Sequence, residues 1–459
     1  MKTIIRYTLA VATLIASFAA GAQNTRSGYF VDDYTYRFQL NPAFGNSRGF
    51  VSMPGIGNLN AGVNGNLNVD DVLYNINGRT TTFMNPGVKA SDFLGNIADV
   101  SKLRVNTKID IFSIGFKGFG GYNTINLNAR ADVGLNLPKS LFSLLKEGVS
   151  NQTYNIDDLA ARGTAYAEFA LGHSHNINKE WRIGITAKFL VGAGNIDARL
   201  HNANLTLGTD EWTVTSDAEI NSSLKGLTYK TDINNLTQHR YVNGADVDGA
   251  GIGGYGFAVD LGVIYKPTLP VLRDFTFSAA VLDLGFINWN NNILASTNGP
   301  RTFTTDKYIF NVDDDAINSF DNEWDKIKDD FGAIYELDDM GDRGKRTTAL
   351  GATVNVGVEY TFPLYRRLSF GLLNTTRING AYGWTDFRLS ANIAPVKCFD
   401  ASVNVAAGTY GMGLGWLINL HVPGFNLFLA MDHTVTKVSK EYVPLSSNAS
   451  VNFGLNFPF

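Results

Sequence analysis

The chain has 459 residues, a formal net charge of −4, 17% charged residues, 12% aromatic residues and 47 glycines. The slight negative charge gives no support to a nucleic-acid partner. Beyond the N-terminus there is no apolar run of the roughly eighteen residues that a membrane-spanning helix needs, so a helical membrane protein is excluded. This composition favours an all-β protein, and because Cys398 is the sole cysteine of the sequence, no intramolecular disulfide can stabilise it.

Residues 1–22 have the features of a secretory signal peptide. Lys2 and Arg6 supply a basic start, and residues 8–19 form an uncharged apolar stretch that is too short to span a bilayer. The small residues at 20–22 match an Ala-x-Ala cleavage site. We therefore expect an exported protein whose mature chain starts directly after this site.

Residues 23–49 combine aromatic and charged side chains before the first predicted strand. The aromatic residues offer enough surface to pack inside a lumen, whereas the charged residues forbid dissolving the segment in lipid. A wet interior accommodates both kinds, so we expect residues 23–49 to plug a barrel formed by residues 50–459. The aromatic residues are Tyr29, Phe30, Tyr34, Tyr36 and Phe38, and the charged residues are Asp32, Asp33, Arg37 and Arg48.

Apolar residues alternate with small, polar or charged residues in stretches along the whole chain. In residues 124–137 one register is apolar, while the other carries asparagine, glycine and charge, and the pattern returns at residues 58–69, 352–362 and 386–393. A period of two indicates strands with one apolar and one wet face. A soluble core does not require so many polar residues on one face, so we predict a transmembrane antiparallel β-barrel. The residues predicted to face its lumen are Arg130, Asp132, Glu359 and Arg388.

Long and short connections alternate between the predicted strands. Those that follow residues 138, 194 and 288 are long, whereas those at 117–122 and 176–181 are tight. Outer-membrane barrels pair long extracellular loops with short periplasmic turns. The alternation predicts about 14 strands and a periplasmic C-terminus, although counts of about 12 or 16 stay open. A faint hairpin within residues 194–249 could belong to the wall.

The sequence defines no metal site. Residues 313–342 of the longest predicted loop are acidic, and carboxylates are what calcium requires, but no spacing matches a defined site, so a solvated loop is preferred. His173 and His175 share a strand face and could supply two metal ligands. Without a third ligand nearby in sequence, ordinary wall positions are the favoured interpretation. We predict no cofactor and, because no nucleophile motif accompanies the histidines and serines, no enzymatic activity.

The chain ends in VNFGLNFPF, an alternating segment that predicts a strand up to the last residue. Such a strand would pair with the first one and close the barrel, which removes every sheet edge. A terminal strand that ends in Phe also resembles the signal by which barrel assembly machinery recognises bacterial outer-membrane proteins. The residues expected to carry this signal are Phe453, Leu455, Phe457 and Phe459.

Asn41, Pro42 and Ala43 lie shortly after the signal peptide and before the first strand. Together with the signal peptide and the apparent strand count, this segment resembles the N-terminus of FadL-type long-chain fatty-acid transporters and of PorV-like barrels of Bacteroidota. In that family the N-terminal segment folds into a fourteen-strand barrel as a plug. The resemblance implies a plug that contains Asn41, Pro42 and Ala43. The alternative is that Pro42 only turns the chain into its first strand.

Two functions follow as hypotheses for a protein of the bacterial outer membrane, in contact with its lipid. The first is FadL-like passive uptake of a small hydrophobic ligand, since no energy-coupling motif is evident. The alternative is a scaffold barrel that holds a surface, secretion or assembly partner, as PorV-like relatives do. An open porin ranks third and an enzyme last.

Overall fold

The structure, a computed structural model, covers most of the chain from residue 25 to the C-terminus. The signal peptide predicted at residues 1–22 lies outside the described part, and so do residues 307–335, which include most of the acidic loop considered for calcium. The described residues are 25–76, 78–147, 152–201, 203–207, 211–233, 238–249, 251–306, 336–434 and 447–459.

Fourteen strands form the wall of a closed barrel. They are β1 (Phe50–Ser52 and Leu59–Gly65), β2 (Val100–Gly118), β3 (Gly121–Pro138), β4 (Ala160–Asn176), β5 (Trp181–Leu200), β6 (Gly254–Tyr265), β7 (Phe275–Trp289), β8 (Arg346–Ala349 and Ala352–Thr361), β9 (Leu368–Ile378), β10 (Trp384–Val396), β11 (Phe399–Gly408), β12 (Gly411–Val422), β13 (Phe425–Met431) and β14 (Ala449–Pro458).

Each strand pairs antiparallel with the next one along the chain. The ring closes because β14 pairs with both parts of β1, with Phe50 opposite Pro458 and Leu59 opposite Phe453. The prediction of a 14-strand antiparallel barrel is confirmed. One boundary was wrong, since β1 ends at Gly65 and residue 69 already begins a short helix.

The wall is apolar outside and polar inside. On β10, Phe387 and Leu389 are 54% and 63% exposed, whereas Arg388 between them is 2% exposed. The same alternation holds on β14, where Asn452 and Asn456 are fully buried. A closed barrel satisfies every backbone hydrogen bond in lipid, and an apolar outer band suits a bilayer. The chain is therefore a bacterial outer-membrane barrel.

Aromatic residues gather on the outer surface at the end of the barrel that carries the short turns. Trp181 at the start of β5 stacks on Tyr265 at the end of β6, with 4.4 Å between ring centroids. Phe275 at the start of β7 lies 5.0 Å from Tyr360 near the end of β8. Aromatic girdles of this kind mark the boundary between bilayer and water.

The opposite end carries the long connections, which fold into structure of their own. Residues 194–249 were considered for one more hairpin of the wall. Among their described residues, Leu227–Ile233 pairs only with Arg240–Val247, whereas Ala218–Leu224 pairs with β5. No described helix is long and apolar enough to cross a membrane. The elements are helices Val69–Val72, Ala90–Asn96 and Lys139–Glu147; hairpins Leu73–Ile76 with Arg79–Thr82 and Leu227–Ile233 with Arg240–Val247; a sheet of Gln152–Asn155, Asn204–Leu207, Glu211–Ser216 and Arg301–Asp306; and strands Ala218–Leu224, Ile293–Ser296 and Asp338–Asp342, which extend the wall beyond β5.

Arginine on the outer face should be costly in proportion to its depth in the bilayer. Val356, near the middle of β8, is 48% exposed on the apolar face. We expect Val356→Arg to lower the free energy of unfolding in lipid by about 2–4 kcal/mol, because the charge meets hydrocarbon. Ile378→Arg is the matched control, since Ile378 is 59% exposed but ends β9 near the long loops, where the cost should be about 0–1 kcal/mol. Equal costs in equilibrium unfolding would contradict the outward orientation of the apolar register.

Candidate functional site inside the barrel

Residues 25–49, which we call the N-terminal segment, lie inside the barrel. The segment contains two 3-10 helices, Arg26–Gly28 and Thr35–Gln39. Its partners come from strands all round the wall, so the wall encloses it. These contacts join Gln39 to Lys108 on β2, Asn41 to the Val263 carbonyl on β6, Tyr29 to Ser278 on β7, the Leu40 carbonyl to Asn355 on β8, Arg26 to Asp386 on β10, the Asp33 carbonyl to Asn419 on β12, and Thr35 to Asn426 on β13 and Asn456 on β14.

Asp432, directly after β13, fixes the start of the segment. One carboxylate oxygen accepts hydrogen bonds from the Thr25 hydroxyl (2.9 Å), the Ser27 hydroxyl (2.7 Å) and the Ser27 backbone N–H (2.8 Å). The other oxygen accepts the Arg26 backbone N–H at 2.9 Å. Asp432 is 4% exposed. Charge-assisted bonds to a buried carboxylate are strong, so this group anchors the segment.

Removing that charge should release the start of the segment. Asp432→Asn keeps the shape but turns one of the two accepting oxygens into an NH₂ donor, and it leaves Arg26 with one carboxylate fewer. Breaking a buried ion pair in this way costs roughly 3–5 kcal/mol. We expect limited trypsin digestion of the folded barrel to cut the variant after Arg26 much faster than the native chain.

Asp339→Asn is the control for that digestion, because Asp339 is exposed in a long connection away from the segment. We expect its cleavage rate at Arg26 to equal that of the native chain. Equal rates in all three proteins would mean that Asp432 does not hold the segment.

Asn41, Pro42 and Ala43 pack against the wall at two glycines. The Asn41 side chain accepts a hydrogen bond from the Ala43 N–H at 2.9 Å and donates to the carbonyl of Ala279 at 3.2 Å. A Cβ atom at Gly184 on β5 would collide with the Pro42 carbonyl, and one at Gly262 on β6 would collide with the Asn41 side chain. Glycine permits this close approach of two backbones.

An ion cluster crosses the lumen near mid-height and centres on Asp283 of β7. Arg130 on β3 donates to both Asp283 oxygens, at 2.8 and 3.1 Å, and Lys188 on β5 donates to one at 2.7 Å. The guanidinium of Arg377 on β9 lies 3.4 Å from an Asp283 carboxylate oxygen. Asp260 is 2.7 Å from Lys188, and Asp283 is 5% exposed. Glu168 on β4 completes the cluster with a hydrogen bond of 2.9 Å from Arg130.

The four residues predicted to face the lumen fall into separate groups. Arg130 belongs to the ion cluster, and Asp132 borders it, 3.9 Å from Arg377. Arg388 donates to Asp386 at 3.1 Å and to the Asp432 carbonyl at 3.0 Å, so it supports the anchor. Glu359 is half-buried, nearer the short turns, in the same register as residues 355 and 357 that contact the N-terminal segment.

The short connection between β9 and β10 turns inward across the lumen. It contains the 3-10 helix Gly380–Tyr382, and the Tyr382 carbonyl accepts a hydrogen bond from Arg104 of β2. The Arg162 guanidinium of β4 lies 4.9 Å from the Tyr382 ring centroid, and Asn136 of β3 donates to the Ala381 carbonyl at 3.3 Å. This connection, which we call the inward loop, narrows the lumen at the long-loop end.

Among the described residues, two cavities border the ion cluster inside the barrel. The inner cavity touches the N-terminal segment at Phe38 and Leu40. The outer cavity touches the inward loop at Asn379. Arg130 and Arg377 line both cavities, so the ion cluster forms the partition between them.

The C-terminal residues singled out for assembly lie on the outer face of β14. Phe457 and Phe459 are 42% and 67% exposed, while Phe453 and Leu455 are half-buried. The Gly49 N–H donates to the Phe459 carbonyl at 3.1 Å, which ties the end of the chain to the entry of β1. Recognition of these residues by assembly machinery stays a prediction.

Several interior residues were not singled out from the sequence. Asp283, Lys188 and Glu168 each stand alone among apolar neighbours, on strands whose outer register is apolar, whereas Arg377 follows two threonines. A lone charge in such a strand is the signal that could have found them. Asp432 and Tyr382 carry no such signal, because both lie outside the strands.

A family model described as "Family of unknown function (DUF5723)" matches residues 42–432. Comparison with curated proteins gives no match.

Among solved structures, the chain is similar to barrels whose names describe hydrocarbon channels. The TodX deltaS2S3 mutant monoaromatic hydrocarbon channel has a TM-score of 0.42 and 8% identity, over 96% of this chain and 95% of that chain. The CymD monoaromatic hydrocarbon channel has a TM-score of 0.42 and 7% identity, over 93% of this chain and 94% of that chain. The toluene transporter TbuX of Ralstonia pickettii has a TM-score of 0.37 and 8% identity, over 96% of this chain and 95% of that chain. At this level of similarity the fold assignment rests on the strand pairing described above.

Proposed function

This chain belongs to the DUF5723 family of unknown function, and we propose that it is an outer-membrane transport barrel for a small hydrophobic ligand that carries a polar end. The ligand enters from the long-loop side and passes the two cavities in turn. It leaves toward the periplasm or sideways into the membrane when the N-terminal segment yields. Binding and diffusion drive the passage.

The observation that carries this proposal is the pair of cavities inside the barrel, one beside the N-terminal segment and one beside the inward loop. A structural barrel has no need of internal space at two levels, whereas a route for a ligand does. In the described part of the chain, the partition between the cavities consists of side chains and contains no backbone segment. Long arginine and lysine side chains can change rotamer without any movement of the wall, so a ligand can pass them.

The lining of the inner cavity decides the class of ligand that we propose. Phe38, Leu40, Leu282 and Trp384 supply apolar surface. Charged groups of the ion cluster, the Lys108 ammonium and neutral polar side chains such as that of Asn126 supply most of the rest. A wholly apolar molecule would leave these charges without a polar partner, which is unfavourable. A molecule with an apolar body and a polar end matches both parts of the lining.

Filling the inner cavity tests the proposal. Ala170 on β4 is 2% exposed and lines this cavity. Ala170→Phe should obstruct the route while it removes no charge, although the new ring lies beside Lys188, which is paired opposite residue 170 on β5. We expect cells that produce the variant to accumulate a radiolabelled aromatic alcohol several-fold more slowly than cells with the native chain.

The matched control lies on the neighbouring strand at the same height. Ala187 of β5 is paired beside Leu171, is exposed on the outer face, and accepts a phenylalanine toward lipid. Ala187→Phe should leave accumulation unchanged. If both variants transported as well as the native chain, the inner cavity would not be the route.

A scaffold function is the second candidate, and one observation favours it. The long connections expose apolar side chains beyond the wall, such as Met84 (56%), Val247 (51%) and Ile252 (47%). Exposed apolar groups outside the membrane mark contact surfaces for partners. The test is purification of the tagged chain from native membranes in mild detergent. A stoichiometric protein that is lost after Val247→Asp would support the scaffold.

A further inference from the structure

We propose that Asp33, Asp400 and His421 bind a divalent transition-metal ion, with Zn²⁺ as the best match, and that this ion fastens the N-terminal segment to the wall at the short-turn end. Asp33 belongs to the segment. Asp400 lies near the start of β11 and His421 near the end of β12. The site therefore joins the segment to two neighbouring strands, and it is independent of the transport function proposed above.

The spacing of the three groups matches a metal site. The His421 Nε2 atom lies 3.0 Å from an Asp400 carboxylate oxygen and 3.8 Å from an Asp33 carboxylate oxygen. One ligand atom from each residue lies within 4.8 Å of the other two. Zinc binds nitrogen and oxygen at about 2.0–2.2 Å in a tetrahedron, so its ligand atoms are roughly 3.3–3.5 Å apart. The two measured distances bracket that value.

The imidazole is held without a hydrogen bond at the atom that would bind the metal. His421 is 8% exposed, and its Nε2 atom has no hydrogen-bond partner among the described residues, although an Asp400 oxygen is 3.0 Å away. A buried nitrogen lone pair without a partner is unfavourable. A metal ion between the ring and the two carboxylates would satisfy it.

Asn419 orients the two carboxylate-bearing residues. Its side-chain amide donates to an Asp400 oxygen at 3.0 Å and to the Asp33 backbone carbonyl at 3.1 Å. Support of this kind around the ligands is typical of metal sites. Asp33 and His421 also border a small cavity, which leaves room for water as the fourth ligand.

The donor set indicates the class of metal. One imidazole nitrogen and two carboxylate oxygens suit zinc and other divalent transition metals, whereas magnesium and calcium prefer oxygen ligands alone. Asp32, the neighbour of Asp33, pairs with Arg37 at 2.5 Å. Asp32 is therefore occupied elsewhere and gives a control with the same charge on the same segment.

The test measures Zn²⁺ binding to the full mature chain, folded in detergent and freed of metal by chelation. We expect one saturable site by calorimetry, and visible absorption typical of tetrahedral cobalt when Co²⁺ replaces zinc. Asp33→Asn and His421→Gln should each weaken binding by at least about 100-fold, and Asn419→Ala by about 10- to 100-fold. Asp32→Asn should bind like the native chain. Heat-dependent gel mobility shows that each variant is folded.

A second control addresses adventitious binding by histidine. His173 and His175 lie near the same end of the barrel, with ring centroids 6.1 Å apart. The double change to Gln should leave zinc affinity unchanged. Loss of binding in that variant, or equal binding in native and His421→Gln chains, would overturn the site.

The fastening role has its own measurement, hydrogen exchange of residues 25–49 with and without Zn²⁺. We expect zinc to slow exchange in this segment for the native chain and not for Asp33→Asn. Zinc binding that is insensitive to Asp33→Asn would show that the wall alone holds the ion, and would overturn the fastening role.

Discussion

Deletion of residues 24–38 from the mature chain should leave a folded barrel that conducts ions several-fold better than the native protein in planar bilayers. All fourteen strands lie beyond the deletion, so wall pairing and closure are retained. The deleted residues include Tyr29, Tyr34 and Tyr36, each with no exposed surface inside the lumen. Their removal opens the half of the barrel nearest the short turns, where water and ions then enter.

The cost of this deletion is local. Leu417 and Phe428 pack against the segment and would face water, and Asp432 would lose the donors of its anchor while keeping Arg388 nearby. Neither loss touches the hydrogen bonds of the wall. We therefore expect the gel mobility of the deleted chain to differ between unheated and heated samples, as it does for a closed barrel.

A deletion at the other end of the barrel gives the control. Leu227–Ile233 and Arg240–Val247 pair as a hairpin outside the wall. The residues that flank this hairpin are bridged by a hydrogen bond of 2.9 Å from the Asp248 N–H to the Gly226 carbonyl. Replacing the hairpin by a short glycine linker should leave conductance unchanged. If the N-terminal deletion folded with native conductance, the segment would not obstruct the lumen, and the scaffold function would gain support.

The wall could be predicted from the sequence because its signal is local. Side chains two residues apart share a face of a strand, so alternation in residues 124–137 already separates the outer from the inner register. The lengths of the connections then supply the direction of each strand. Closure of the barrel could also be predicted, because the last strand needs a partner and β1 is the one strand left with an open edge.

The interior could not be predicted in the same way, because its contacts depend on the whole ring. Arg130 and Asp283 are 153 positions apart, and Thr25 and Asp432 are 407 positions apart. Which side chains face each other across a lumen depends on the number of strands together with the stagger between paired strands around the barrel. If one strand paired with its neighbour two residues further along, the side-chain pairs across the lumen would change. The inward loop was equally hidden, since residues 379–383 have the composition of an ordinary hairpin turn.

Asp283→Asn should give a large loss of stability for a single change in the interior. Asp283 has a positive φ of 57°, a conformation that Asn adopts readily, so the change removes charge without adding backbone strain. Arg130, Lys188 and Arg377 would then share fewer carboxylates. Loss of one partner from a buried ionic cluster costs roughly 3–5 kcal/mol, and the two adjoining cavities admit water, so we expect a value near the lower limit.

Equilibrium unfolding by guanidinium in lipid measures this cost as a shift of the transition midpoint. Asp274→Asn is the matched control, because Asp274, in the connection between β6 and β7, also pairs with an arginine. That arginine is Arg366 of the connection between β8 and β9, at 2.8 Å, and its side chain is 61% exposed. A pair of that kind contributes about 0–1 kcal/mol. In the deletion background, Asp283→Asn should also shift the reversal potential in a salt gradient toward anion selectivity, since the partition becomes more positive. Equal midpoints and equal reversal potentials for the two variants would show that the ion cluster neither stabilises the barrel nor controls passage between its cavities.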